Sequence, residues 1–272
     1  MNSCVDFLPQ SLRFDTIPEF QRLFRDSFSM NQSAANPSST VVPEPDPPAG
    51  AGWPGLPFVA PLAVFLLLTS VEKELYGLLT QTGAYGFKLL ATAAVLLWYR
   101  KAWPRWDTRG LLPGLLLGAV GVVLWVLLDS VQRQVLAALN LADWLPARDG
   151  WRFDLQQLSL PETLRLLLRF SGLVLVVPLA EELCWRGFLA PWLVNEDFRS
   201  VPAGKMTASS FLIVLAVFTA MHPEILAAVV WVSGMNLLWQ RTGNLWACVV
   251  AHAATNLLLG LYIIRTGSWH LW

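Results

Sequence analysis

The sequence predicts an all-α fold, a polytopic helical membrane protein with about seven to eight transmembrane helices. Three observations carry that expectation. Hydrophobic residues make up 55% of the 272 positions and charged residues only 14%, against roughly 25% charged in soluble domains. Apolar runs recur, each near the roughly 20 residues that a bilayer crossing needs. The 14 tryptophans lie mainly near the ends of those runs, where an interfacial aromatic belt sits. The formal net charge of zero gives no basic footprint, so no nucleic-acid partner is expected. Cys4, Cys184 and Cys248 have no metal-ligand spacing, and two of them lie in apolar runs, which argues against a disulfide framework.

Taken in order, residues 1–56 form an N-terminal cytoplasmic segment. Up to about position 28, Phe7, Leu8, Leu12, Phe14, Ile17, Phe20, Leu23 and Phe24 recur among polar residues, the pattern of a short amphipathic helix on a membrane surface. Residues 29–56 are rich in Ser, Asn, Pro and Gly and read as a disordered tether. Residues 57–162 hold N-terminal transmembrane helices and a connecting linker. The expected spans are 56–70 with an extension toward 79, then 85–98 and 111–128. The linker, 129–162, carries both signs of charge, and its VLAALNLADWL stretch suits an interfacial helix.

Residues 163–272 form the remaining transmembrane core. A long span covers 163–194. Arg165 and Arg169 in its first turns suggest an interfacial lead-in, and Pro178 removes a backbone hydrogen bond and should kink the helix. Further spans are expected at 207–221, 225–238 and 245–264. Arg100, Lys101, Arg105 and Arg109 against one Asp107 place the loop between the second and third spans in the cytoplasm. Alternation from there puts the N-terminus inside, with the plasma (inner) membrane as the expected location.

Four sets of polar residues interrupt the last four spans. Glu181, Glu182 and Arg186 stand in an apolar run, where ionisable groups are costly and mark a function by default. Glu182 and Arg186 are four apart and share a helix face, so they can pair. Glu181 is rotated by about 100° and points elsewhere. A buried pair that only locks packing is the alternative. His222 ends the fifth span one turn after Phe218, and an interfacial histidine is the plainer reading. His252 and Asn256, four apart in the last span, need polar partners that hydrocarbon does not supply. Asn236 and Ser233 read as structural, and Glu224, after Pro223, as a solvated loop residue.

These residues form EELCWR (Glu181 to Arg186), FTAMH (Phe218 to His222) and HAATN (His252 to Asn256). In that order they resemble the EExxxR, FxxxH and HxxxN/D motifs of the CPBP family of intramembrane proteases, which includes the CAAX prenyl endopeptidases of eukaryotes. The resemblance covers about residues 163–264. It implies peptide-bond hydrolysis in the membrane on a hydrophobic or lipid-anchored peptide or protein. Glu181 would activate a water with help from His222, His252 and Asn256 would stabilise the oxyanion, and Glu182 would orient the site through Arg186. No cofactor is required. A divalent metal such as zinc, held by Glu181, His222 and His252, is the open alternative, and the residues lean toward a metal-free glutamate mechanism. A non-catalytic membrane scaffold or immunity-type binder could use the same polar cluster. A small transporter is disfavoured, because the polar residues gather in the C-terminal part only.

Overall fold

The computed structural model describes residues 53–141, 152–154 and 158–271. The amphipathic helix expected near the N-terminus lies outside them, as do all but the last positions of the tether and residues 142–151 and 155–157 of the linker, with the ADWL end of its expected interfacial helix. Among the described residues the chain is all-α, with seven helices: α1 Leu56–Ser70, α2 Gln81–Tyr99, α3 Leu111–Ala138, α4 Leu160–Trp192, α5 Ala208–Ala220, α6 Ile225–Thr242 and α7 Leu245–Thr266.

The number of candidate spans is smaller than expected. By length and composition α3, α4 and α7 can cross a membrane, while α1 and α5 are shorter apolar helices. The reason lies in each sequence. The 15 residues of α1 reach about 22 Å at 1.5 Å per residue, short of a hydrocarbon core of about 30 Å. They do not run on to Leu79, because a separate 3₁₀ turn follows at Glu74–Gly77. Within α2 the apolar run is broken by Lys88, and within α6 by Asn236, Gln240 and Arg241.

Helix α3 shows how the polar residues are organised. Its buried positions are Gly114, Gly118, Gly121, Trp125, Asp129 and Gln132, spaced three or four apart along one face. Leu115, Leu116, Val120, Val123 and Leu127 lie exposed on the others, as helix surfaces facing hydrocarbon require. The glycines permit a close approach to α7, the partner against which α3 packs most extensively. A Cβ at Gly118 would stand 2.7 Å from Ala254 Cβ and 2.8 Å from the Ala251 carbonyl oxygen. Small residues at such interfaces let helix backbones meet where no hydrophobic drive exists. The helix also continues ten residues beyond the expected end of its span. Asp129, expected to open a loop, instead pairs with Arg133 four positions on, at 2.9 Å, and both belong to the helix.

Helix α4 begins with a capping box, in which Ser159 accepts from the Glu162 backbone and the Glu162 side chain accepts from the Ser159 backbone. It then runs through Pro178 rather than breaking there. The turn before the proline widens to a π-turn at Gly172–Val176, so that Val177 N–H donates to the Gly172 carbonyl. A second π-turn, Trp185–Leu189, stands in the same relation to Pro191. The helix accommodates each missing N–H by a change of turn.

Candidate active site

The EELC part of EELCWR lies between the two π-turns, with Trp185 and Arg186 opening the second, and its two glutamates go to different places. Glu182 and Arg186 are both fully buried. Arg186 Nη1 donates to the two Glu182 oxygens at 3.1 and 2.9 Å, and its Nη2 donates to Asn236 Oδ1 at 3.0 Å. A second partner reaches Glu182 from α7: His252 Nδ1 lies 2.9 Å from Glu182 Oε1. The expected Glu182–Arg186 brace is thus part of a four-residue network over α4, α6 and α7. Asn236, read from sequence as merely structural, is one of its members.

Glu181 faces a cavity of about 150 Å³ instead. That cavity is lined by Glu181, His222, His252 and Asn256 together, with Trp125, Phe218, Trp231 and Arg169 among its other walls. The indole Nε1 of Trp185 donates to Glu181 Oε2 at 3.3 Å and so orients the carboxylate from one turn further along α4.

His222 sits just past the end of α5, with its Nδ1 2.8 Å from the Phe218 carbonyl oxygen and its ring stacked on Phe218 at 4.3 Å. The four-residue spacing of FTAMH therefore supplies both a hydrogen-bond acceptor and a stacking surface. The loop that carries His222 is fixed by α3. Gln132 Nε2 donates to the Pro223 carbonyl at 2.7 Å, and its Oε1 accepts from Leu226 N–H at 2.9 Å. Glu224 in this loop is buried, not solvated as its place between two spans suggests, because the loop is folded against α3.

Trp231 joins the two histidines. It stacks on Phe218 with centroids 5.4 Å apart and presents an edge contact to His252 at 4.8 Å. Its Nε1 donates to Thr255 Oγ1 at 3.1 Å. Asn256 Nδ2 donates to the Leu173 carbonyl at 2.8 Å. That carbonyl is released by the first π-turn: Val177 N–H goes to Gly172, and the next residue, Pro178, has no N–H to give. The proline expected to kink α4 thereby creates the acceptor that holds Asn256.

The hydrogen bonds also set the imidazole tautomers. A backbone carbonyl and an ionised carboxylate only accept, so Nδ1 carries the proton in both rings. In the neutral ring Nε2 is then an acceptor at His222 and at His252 alike. Among the described residues no group of three or more His, Cys, Asp or Glu side chains is arranged to hold a metal ion. Arg169, expected at the interface, lines the cavity, and its guanidinium lies over the Tyr85 ring at 5.6 Å.

A helical membrane protein with a cavity between its helices lined by ionisable side chains is the class that this arrangement defines. Residues 163–258 match the family described as Type II CAAX prenyl endopeptidase Rce1-like, and that part of the chain is a domain of this family. The family implies a membrane protease. No curated protein and no solved structure matches the chain.

Proposed function

We propose that the protein is an intramembrane endopeptidase that hydrolyses a peptide bond in a membrane-associated or lipid-modified substrate. The observation that carries this reading is the convergence of Glu181, His222, His252 and Asn256 on one cavity. Glu181 takes a proton from a water as its oxygen attacks the scissile carbonyl carbon. The carbonyl oxygen becomes the oxyanion. When the C–N bond breaks, Glu181 returns the proton to the leaving amine. His222, with Nε2 as an acceptor, orients the water. Asn256 keeps one amide N–H on the Leu173 carbonyl and offers the other to the oxyanion. His252, held at Nδ1 by Glu182, donates to the oxyanion from Nε2 only as the imidazolium. Such fixed donors gain strength where water is excluded. The excess of Arg and Lys in the 100–109 loop supports a cytoplasmic position for that loop, with the plasma membrane as the site of action.

The test is a comparison of membranes carrying the wild type with membranes carrying Glu181→Gln, scored by mass spectrometry for peptides cut only by the former. Equal cleavage by a folded Glu181→Gln variant would overturn the mechanism. Function that survives Glu181→Gln but fails on disruption around Arg186 would favour a non-catalytic scaffold or binder.

A further inference from the structure

The cavity of about 150 Å³ is small for the substrate that the proposed hydrolysis needs. Sites that hold an organic ligand usually measure about 300–1,000 Å³, so a peptide enters only if a wall moves away. Of the lining residues, all but His222 and Leu271 belong to helices α3 to α7. His222 is tied to Phe218, and its loop to Gln132. Leu271, 4% exposed, reaches the cavity from the 3₁₀ turn Trp269–Leu271, beyond the end of α7.

That turn is built as a strap. Helix α7 ends at Gly267, whose φ of 71° is left-handed, a conformation that glycine adopts without steric cost. Its N–H donates to the carbonyl of Ile263, itself a cavity residue. Further along, Trp269 lies against Phe153 of the linker with ring centroids 5.8 Å apart. His270 then reaches α3, with Nε2 3.0 Å from Asp129 Oδ2, one helical turn beyond the cavity residue Trp125. An ionised carboxylate only accepts, so the imidazole donates. Asp129 is 3% exposed and also held by Arg133 on its own helix, whereas the His270 side chain is 44% exposed. The clasp has one fixed half and one half for which water competes.

We infer that Gly267–Leu271 is a lid on the cavity: Leu271 occupies the room that an apolar substrate side chain needs, and the His270–Asp129 clasp keeps it there until such a side chain displaces it. That the displacing group belongs to a peptide rests on the endopeptidase reading. Gly267 is the hinge, and α3, which supplies Asp129, is the frame on which the lid closes. A closed lid keeps bulk water from Glu181 while no substrate is bound, as closing segments do at other sites.

The experiment reads access to the cavity without substrate or turnover. Ile263, a cavity residue only 1% exposed, is replaced by cysteine in the full-length chain, with Cys4, Cys184 and Cys248 changed to alanine. The rate of labelling by a charged methanethiosulfonate is then measured in neutral detergent. Labelling of Ile263→Cys should be slow with the clasp intact. It should rise about ten-fold in His270→Ala, the scale of one hydrogen bond to a charged group. Asp129→Ala should raise it as much, and the double variant no further, because both changes break one contact. His270→Gln, which keeps an N–H donor, should stay near the slow rate. Labelling that is equal with and without the clasp overturns the inference, whether fast or slow. So does an equal rise at Leu96→Cys, a position buried outside the cavity, which marks a general loosening. A lid that responds as expected in a protein that cuts nothing in the Glu181 comparison refutes proteolysis and leaves the lid standing. Cleavage that depends on Glu181, with labelling indifferent to the clasp, overturns the lid alone.

Discussion

Glu181 and Glu182 are neighbours with the same side chain, yet the fold treats them in opposite ways. Glu182 is fully buried, accepts twice from Arg186 and once from His252, and has little freedom left for chemistry. Glu181, rotated by about 100° on the helix, opens into the cavity and, among the described residues, accepts from the Trp185 indole. A charge in a low-dielectric interior is tolerated when its partners are complete, and it becomes reactive when they are not. One helix turn thus supplies both a clamp that ties three helices together and a carboxylate that opens into the cavity.

The comparison breaks most sharply when each glutamate is challenged in turn. Arg186→Met leaves Glu182 without its cation, and removal of one partner from a buried pair costs about 3–5 kcal/mol. The expected result is a large fall in the thermal midpoint in detergent, with activity lost because the fold is lost. Glu181→Gln should leave that midpoint nearly unchanged while cleavage falls about 10³-fold, the scale of general acid–base catalysis. If the two variants lose stability equally, the division of labour between the glutamates is wrong.

Asn256→Ala probes a residue that belongs to both regions. Its amide donates to the Leu173 carbonyl released at the π-turn, so the variant orphans that acceptor and should cost about 1–3 kcal/mol. Loss of an oxyanion donor should lower kcat by about 10²-fold. Both readouts should move together, unlike the clean separation expected for the glutamates. A stability change with normal turnover would make Asn256 a helix tie alone.

The sequence makes the pairing of Glu182 with Arg186 legible, because four-residue spacing on a helix is local information. The same holds for Phe218 with His222, and for the gathering of Glu181, His222, His252 and Asn256 that the three ordered motifs imply. It does not reveal contacts whose partners are remote. Asn236 reaches Arg186 across 50 positions and Gln132 reaches Pro223 across 91, and no local pattern marks either pair. The effect of Pro178 was hidden for a different reason. A proline in a helix announces a lost hydrogen bond, but a kink and a π-turn both absorb it, and Asn256 on α7 takes up the acceptor that the π-turn leaves. The number of spans is smaller than the hydropathy suggests because the apolar stretches in α1, α2 and α6 are interrupted or short.

The smallest effect concerns the indole that orients Glu181. Trp185 is 5% exposed, donates to Glu181 Oε2 at 3.3 Å and meets Phe218 edge-on at 6.3 Å, so it touches both the Glu181 carboxylate and the wall behind His222. Trp185→Phe keeps an aromatic ring there and deletes the donor. A hydrogen bond of this kind contributes about 1 kcal/mol, which corresponds to a fall of about five-fold in kcat. KM should stay unchanged, because the indole contacts the carboxylate rather than the substrate. Trp185→Ala adds a cavity to the lost donor and should cost about 3–5 kcal/mol of stability as well. Steady-state kinetics on both variants, each paired with its thermal midpoint, separate orientation from packing. Unchanged kcat in Trp185→Phe would mean that helix geometry alone aims Glu181 into the cavity.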